Sequence, residues 1–224
     1  GMTSDRTDVR AVDVVRKAGA TAFTIVDQDG TSYPVVLPCA GDHNVMNALA
    51  AFCVGRLAGI APEQICRALE QYQTVGLRQN IYTRGAYTII ADCYNASPDS
   101  MKAALTVLHD LPCQGRHVAV LGDTLELGEM SRQLHTLVGD MAAEKEVDGL
   151  FCFGKEAFYI AQRAAMQEVP VYHTEDRREL CRVIRQYLRP GDAVLFKASR
   201  GMHLEDCIDV IFEQEEAPED AILD

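Results

Sequence analysis

The chain has 224 residues, 48% of them hydrophobic and 24% charged, with a formal net charge of −12. That is enough apolar material for one large core or two small ones. So acidic a balance, without a local basic patch, argues against nucleic acid and an anionic membrane as partners. No apolar run approaches the ~18 residues of a spanning helix, and the opening residues do not read as a signal peptide. Eight cysteines are scattered without a CxxC pair, so the expectation is a cytoplasmic chain of buried, reduced thiols.

Two textures follow each other along the chain. Val9 to Arg16, Ala22 to Val26 and Ser32 to Leu37 read as strands, with Asp27-Gln28-Asp29-Gly30 as the turn between the last two. An Ala-rich helix runs from Asn44 to Leu57 and stops at Gly59, and Pro62 opens a second helix through Tyr72. A short joint near Thr74 to Leu77 separates this from the second texture. There the apolar strands Tyr87–Ala91, His117–Leu121, Leu150–Phe153, Val169–Tyr172 and Ala193–Phe196 alternate with helices. Ser97 is placed to cap the first of these helices, with Pro98 at its first position. Strands apolar on both faces and separated by helices predict an α/β fold with a Rossmann-like parallel sheet. The expected organisation is a first unit of strands and two helices at 1–76, the parallel-sheet unit at 77–213, and an acidic tail at 214–224.

In such sheets ligands bind beyond the carboxyl ends of the strands. Asp92, Asp123 and Lys197 stand at three of these ends and are expected to share one crevice, although polar residues also commonly begin loops. Arg78, at the joint, offers a guanidinium able to reach a terminal phosphate. Asn44 and Asn47 are three apart on one helical face, and carboxamides suit the edge of an adenine, though capping and plain exposure account for them as well. Gly149 to Glu156, GLFCFGKE, nearly fits the phosphate loop GxxxxGK[ST]. Its middle is a buried strand, however, and Glu156 stands where a hydroxyl should hold magnesium, so the loop reading is set aside.

The ordered run HNVMNALAA, GLR, IIADCYNASPDSMKAAL, VAVLGDTLELGE with His135 after it, and KASRGMHLED resembles the Mur ligase family, and within it the branch that adds D-alanyl-D-alanine. Ser97 stands where that family more often has Asn, and Ala91 where a second Asp is common. The resemblance implies ATP with Mg2+ as cofactor, UDP-N-acetylmuramoyl-tripeptide as donor and D-alanyl-D-alanine as acceptor, joined through an acyl phosphate in peptidoglycan precursor synthesis. It implies that Asn44 and Asn47 face adenine, Arg78 the terminal phosphate and Asp92 the ribose, with Tyr94 and Asn95 lining the nucleotide and acceptor side. Asp123, Glu126, Lys197, Ser199 and Arg200 are then expected to border the dipeptide pocket together with Asn95, and Arg78 and Lys197 to serve catalysis. The family's phosphate loop and magnesium ligands have no match among these residues, so no metal ligand is expected and the chain by itself is expected to be inactive. A different Mur ligase or a folylpolyglutamate-type ligase, and a stand-alone non-catalytic nucleotide- or peptide-binding module, are the alternatives.

Overall fold

A computed structural model describes residues 1–2, 7–17, 19–73 and 78–212. The expected joint at 74–77 and acidic tail at 214–224 lie outside them. The chain divides into two compact units, Gly1–Val75 and Gly76–Asp224.

In the first unit, β1 (Arg10–Lys17), β2 (Ala20–Val26) and β3 (Ser32–Leu37) form an antiparallel sheet in that order. The register of β1 shifts between Val12 and Val15, where Asp13 takes a left-handed backbone (φ 54°), the mark of a β-bulge. Inward residues of β2 and β3, Phe23, Ile25, Val35 and Leu37, alternate with half-buried ones on β2 and exposed ones on β3, and pack on α1 (Asp42–Leu57) and α2 (Pro62–Glu70) through Val45, Leu49, Phe52 and Ile65. α1 begins two residues before the expected Asn44, because Gly41 supplies the cap at φ 97°, a backbone that suits glycine.

The second unit is a six-stranded sheet in the order β4-β5-β9-β6-β7-β8. β5 (Tyr87–Asp92), β6 (His117–Gly122), β7 (Gly149–Phe153), β8 (Val171–Thr174) and β9 (Ala193–Lys197) run parallel. β4 (Asn80–Arg84) is an antiparallel edge strand absent from the sequence reading. Its signal was the two-residue turn Gly85–Ala86, with Gly85 at φ 56°, between two Tyr- and Thr-bearing runs. α3 (Pro98–Asp110), α4 (Ser131–Glu144) and α5 (Ala157–Ala165) cover one face, and α6 (Arg177–Tyr187) and α7 (Glu205–Phe212) the other. The expected strand Val169–Tyr172 forms two residues later, at Val171–Thr174.

Strand alternation assigns the faces. Ile89, Ala91, Val118, Val120, Val194 and Phe196 pack with Leu180, Ile184, Ile208 and Ile211 of α6 and α7. The intervening residues Asp92, Leu121 and Lys197 therefore look toward the α3–α5 face. The chain leaves β5 and β6 toward that face but returns from β8 and leaves β9 on the other. The carboxyl ends of β5, β9 and β6 thus flank the topological switch of the sheet.

Ser97 caps α3 as expected, with a partner the sequence reading did not name. Its Oγ accepts from the Ser100 N–H at 3.2 Å, and the Ser97 N–H donates to Ser100 Oγ at 2.9 Å. At the opposite, amino-terminal edge of the sheet, the buried Asp192 carboxylate accepts from the backbone N–H groups of Arg116 and Arg189 (both 2.9 Å) and from the Arg116 guanidinium (2.7 Å). Burial pushes its pKa up, but the Arg116 side chain and the N–H donors outweigh burial and leave it below the ordinary 3.8. All eight cysteines are free thiols, with only Cys53 and Cys113 partly exposed. Burial raises the Cys39 thiol to about 11 and that of Cys93 to about 12.

Two outcomes follow. Ser97→Ala should lower stability by about 1 kcal/mol in urea unfolding, whereas Ser97→Asn, an equally good cap, should stay within about 0.5 kcal/mol. Because the folded-state pKa of Asp192 is depressed, its contribution is fully present above the unfolded value of 3.8 and is lost as pH falls through the lower folded value. Asp192→Asn should therefore destabilise the protein at pH 7 by at least about 2 kcal/mol and flatten the loss of stability below pH ~4, as measured by unfolding at a series of pH values.

Candidate active site at the carboxyl edge of the parallel sheet

β5 and β9 are paired with Asp92 opposite Lys197. The Lys197 side chain is only 1% exposed, yet it ends in an ammonium. Its Nζ donates to Asp92 Oδ2 at 2.7 Å and to the Asn95 carbonyl at 2.9 Å. The other oxygen of Asp92, Oδ1, accepts from the Gln79 N–H at 3.2 Å. Lys197 thus ties the end of β9 to the end of β5 and to the turn that leads into α3. Each Asp92 oxygen retains lone-pair capacity for a further donor, and the carboxylate is 16% exposed.

Arg78 and Tyr94 stand on the exposed side of this clasp. The Arg78 guanidinium carbon lies 3.9 Å from the centre of the Tyr94 ring, a cation–π stack. The ring itself is 45% exposed. Asn95 Oδ1 accepts from the N–H of Ala96 at 2.8 Å, so its side chain shapes the turn while its carbonyl serves Lys197. The structure therefore brings Arg78, Asp92, Tyr94, Asn95 and Lys197 into one connected group.

Asp123 departs from the expectation of a shared crevice. It leaves β6 on the same face, but its Oδ1 accepts from the Ala157 N–H at 2.7 Å and it is buried at the start of α5. A Cβ on Gly154 (φ 112°) would lie 2.5 Å from that carboxylate, so glycine is required there for Asp123 to reach the helix. The Asp92–Lys197–Asp123 trio thus divides into an ion pair and a helix-capping carboxylate. The same contacts explain why GLFCFGKE is no phosphate loop. β7 is buried, the amino end of α5 is already occupied by Asp123, and Glu156 accepts from the Ser131 hydroxyl.

Ser199 is buried, and its Oγ accepts from the Leu125 N–H at 2.9 Å; its own N–H donates to the Asp123 carbonyl at 3.1 Å. Glu126 is exposed with a left-handed backbone (φ 65°). Arg200 is exposed and pairs with Glu205 at 3.2 Å. The loops after β6 and β9 are thereby stitched to each other. Sequence reasoning missed Gln79, Gly154 and the backbone roles of Asn95 and Ser199, since a carbonyl or N–H carries no residue-type signal.

In the first unit, Asn44 and Asn47 line a pocket of about 250 Å³ with Leu37, Cys39, Ala48, Ala51, Leu69 and Tyr72. Asn44 Nδ2 donates to the Ala40 carbonyl at 2.7 Å, which orients its carboxamide in the first turn of α1. Among the described residues no group of three or more His, Cys, Asp or Glu is arranged to hold a metal ion. Among them, too, no helix is long and apolar enough to cross a membrane.

Residues 77–200 match the family described as Mur ligase, glutamate ligase domain. The chain belongs to the Mur ligase family. It is 36% identical, over 94% of its own length and 46% of the relative's, to the UDP-N-acetylmuramoyl-tripeptide–D-alanyl-D-alanine ligase of Bacillus subtilis. The Escherichia coli protein of the same name is 30% identical over 90% of this chain and 44% of its own. Among solved structures, MurF from Acinetobacter baumannii superposes with a TM-score of 0.84 at 31% identity, covering 94% of this chain and 46% of that one. MurF ligase from Thermotoga maritima in complex with ADP gives 0.77 at 26% identity, covering 94% and 47%. This Mur ligase chain spans about half the length of the curated relatives it matches.

Removing Asp92 leaves a buried ammonium without its counter-charge. Asp92→Asn should cost about 3–5 kcal/mol, and Lys197→Met less, because it removes the charge and keeps the packing. The double variant should recover part of the Asp92→Asn loss, giving a coupling energy of about 1 kcal/mol or more in a urea double-mutant cycle.

Proposed function

We propose that this chain is the nucleotide-facing and acceptor-binding part of an ATP-dependent ligase that adds D-alanyl-D-alanine to UDP-N-acetylmuramoyl-tripeptide. The single observation that carries the reading is the Lys197–Asp92–Asn95 clasp at the sheet's switch point, in a chain 36% identical along nearly its whole length to a ligase of that name. In the reaction, ATP transfers its terminal phosphoryl group to the carboxylate that ends the donor peptide. The free amine of the dipeptide then attacks the acyl carbon, a C–N bond forms, the C–O bond to phosphate breaks and the amine loses a proton. The protein's part is to place amine and acyl carbon together and to meet negative charge with fixed donors.

Each residue has an assigned part in this reading. Asn44 and Asn47 offer carboxamide donors and acceptors to adenine in a pocket whose walls are otherwise apolar. The remaining acceptor capacity of Asp92 suits ribose hydroxyls. Arg78, stacked on Tyr94, is assigned to phosphate, and its stack gives way at modest cost because it is exposed. Lys197 has both observed bonds inside the protein and acts by fixing Asp92 and the Tyr94–Asn95 turn. Glu126 and Arg200 are the exposed groups available to the charged ends of a dipeptide, and Asp123 and Ser199 set the loops that carry them. Magnesium, when bound, neutralises the phosphates.

Calorimetric titration of the 224-residue chain tests this. D-alanyl-D-alanine should bind more tightly than its L,L isomer, and Arg200→Ala should weaken it at least tenfold, a loss of about 1.4 kcal/mol. ATP should bind weakly and be weakened further by Asn47→Ala. The chain alone, whose sequence contains no GxxxxGK[ST] run, should show no magnesium-dependent ATP hydrolysis. Equal affinity for the two dipeptide isomers refutes the acceptor assignment.

A further inference from the structure

His135, in α4, has no part in the reading above. It is fully buried. The Thr124 N–H donates to its Nε2 at 3.0 Å, so that nitrogen carries no proton. The Ser131 carbonyl lies 2.7 Å from Nδ1 and can only accept, so Nδ1 carries the proton. These two backbone neighbours specify a single neutral tautomer. The Ser131 hydroxyl, 3.3 Å from Nδ1, donates onward to Glu156 Oε2 at 2.8 Å. The imidazole is thereby braced from the α5 side.

What His135 holds is the loop that leaves β6. Thr124 stands between Asp123, which caps α5, and Leu125, whose N–H is taken by Ser199 Oγ. The buried Thr124 hydroxyl has no hydrogen-bond partner among the described residues, so the side chain does not secure this residue and the backbone bond to His135 does. Glu126 follows at once with φ 65°, a conformation that a non-glycine residue keeps only where its surroundings over-determine it.

We propose that His135 is a positioning residue for acceptor recognition: an imidazole locked as a hydrogen-bond acceptor pins the Thr124 backbone and so sets where Glu126 stands relative to Ser199 and Arg200. The functional half of this rests on the reading of these loops as the dipeptide side. Without the acceptor, the buried Thr124 N–H loses its bond to His135, and the loop must turn to find water.

Substitutions separate the two nitrogens. Gln places an amide oxygen near Nε2 and keeps the acceptor for Thr124, whereas Asn reaches only as far as Nδ1, and Phe keeps the ring without either function. In long-range 15N–1H spectra of the 224-residue chain, His135 should show a protonated Nδ1 and a bare Nε2, and the Thr124 amide should exchange slowly. H135N and H135F should speed that exchange and weaken D-alanyl-D-alanine at least tenfold in calorimetry, with ATP affinity unchanged; H135Q should stay within about threefold of the parent. A proton on Nε2 overturns the proposal, as does unchanged dipeptide affinity in H135N and H135F. Should H135F fail to fold, the contrast between H135N and H135Q decides. If the parent chain itself binds no dipeptide, the acceptor reading and the functional half of this proposal fall together, while the spectrum and the Thr124 exchange still decide whether His135 holds the loop.

Discussion

An ammonium buried at the end of a central strand constrains everything around it. Lys197 occupies a position where its neighbours on β9 are fully buried apolar residues, and an unpaired charge there costs several kcal/mol. The fold meets that cost by bringing a carboxylate and a carbonyl within hydrogen-bond reach. The pair also selects the strand register. Moving β9 by one residue relative to β5 turns Lys197 toward the apolar side, among Ile89, Ala91 and the residues of α6 and α7, with no counter-charge. Hydrophobic burial stabilises the sheet in any register that keeps apolar residues inside, whereas the ion pair accepts only one.

The two ends of the sheet use the same chemistry for different purposes. Asp192, at the amino-terminal edge, is saturated: both oxygens accept from guanidinium and backbone N–H groups around it. Asp92, at the carboxyl edge, has one charged partner and one backbone donor and is partly exposed. A carboxylate closed off by its own chain serves stability, and one with open lone pairs at a switch point is available to a ligand. Position in the sheet separates the two where residue type does not.

Much of this was legible in the sequence. Five apolar runs alternating with helices specify a parallel sheet, and Ser97-Pro98 marks a helix start with a mechanism. Asp92 and Lys197 were placed together by the rule that ligands gather at strand ends. β4 escaped because five residues with no clean alternation give no periodic signal; only Gly85–Ala86 announced the hairpin. Asp123 was read by the same rule as Asp92 and went elsewhere. The difference lies in Gly154, 31 residues further along the chain and outside any local pattern around Asp123. His135 entered the sequence reading only as part of the family resemblance, and its role there had no signal, since its partners are the backbone groups of Thr124 and Ser131.

Backbone geometry at the carboxyl edge points the same way as the side chains. Within the second unit, left-handed non-glycine residues fall at Gln79, Glu126, Glu146, Glu168 and His203. Glu146 and Glu168 lie just past α4 and α5, where a left-handed residue commonly ends a helix. Gln79 and Glu126 end no helix. Gln79 donates its N–H to Asp92, and Glu126 follows the Thr124–Leu125 segment bonded to His135 and Ser199. His203 ends the 3-10 turn Arg200–Met202 that follows β9. A left-handed backbone costs a non-glycine residue about 1–2 kcal/mol, and such strain persists where fixed contacts impose it. Here the contacts that impose it are those that aim Asp92 and the two loops outward. The strain therefore goes with an edge whose Asp92 stays partly open, unlike the amino-terminal edge, where Asp192 is closed off by its own chain.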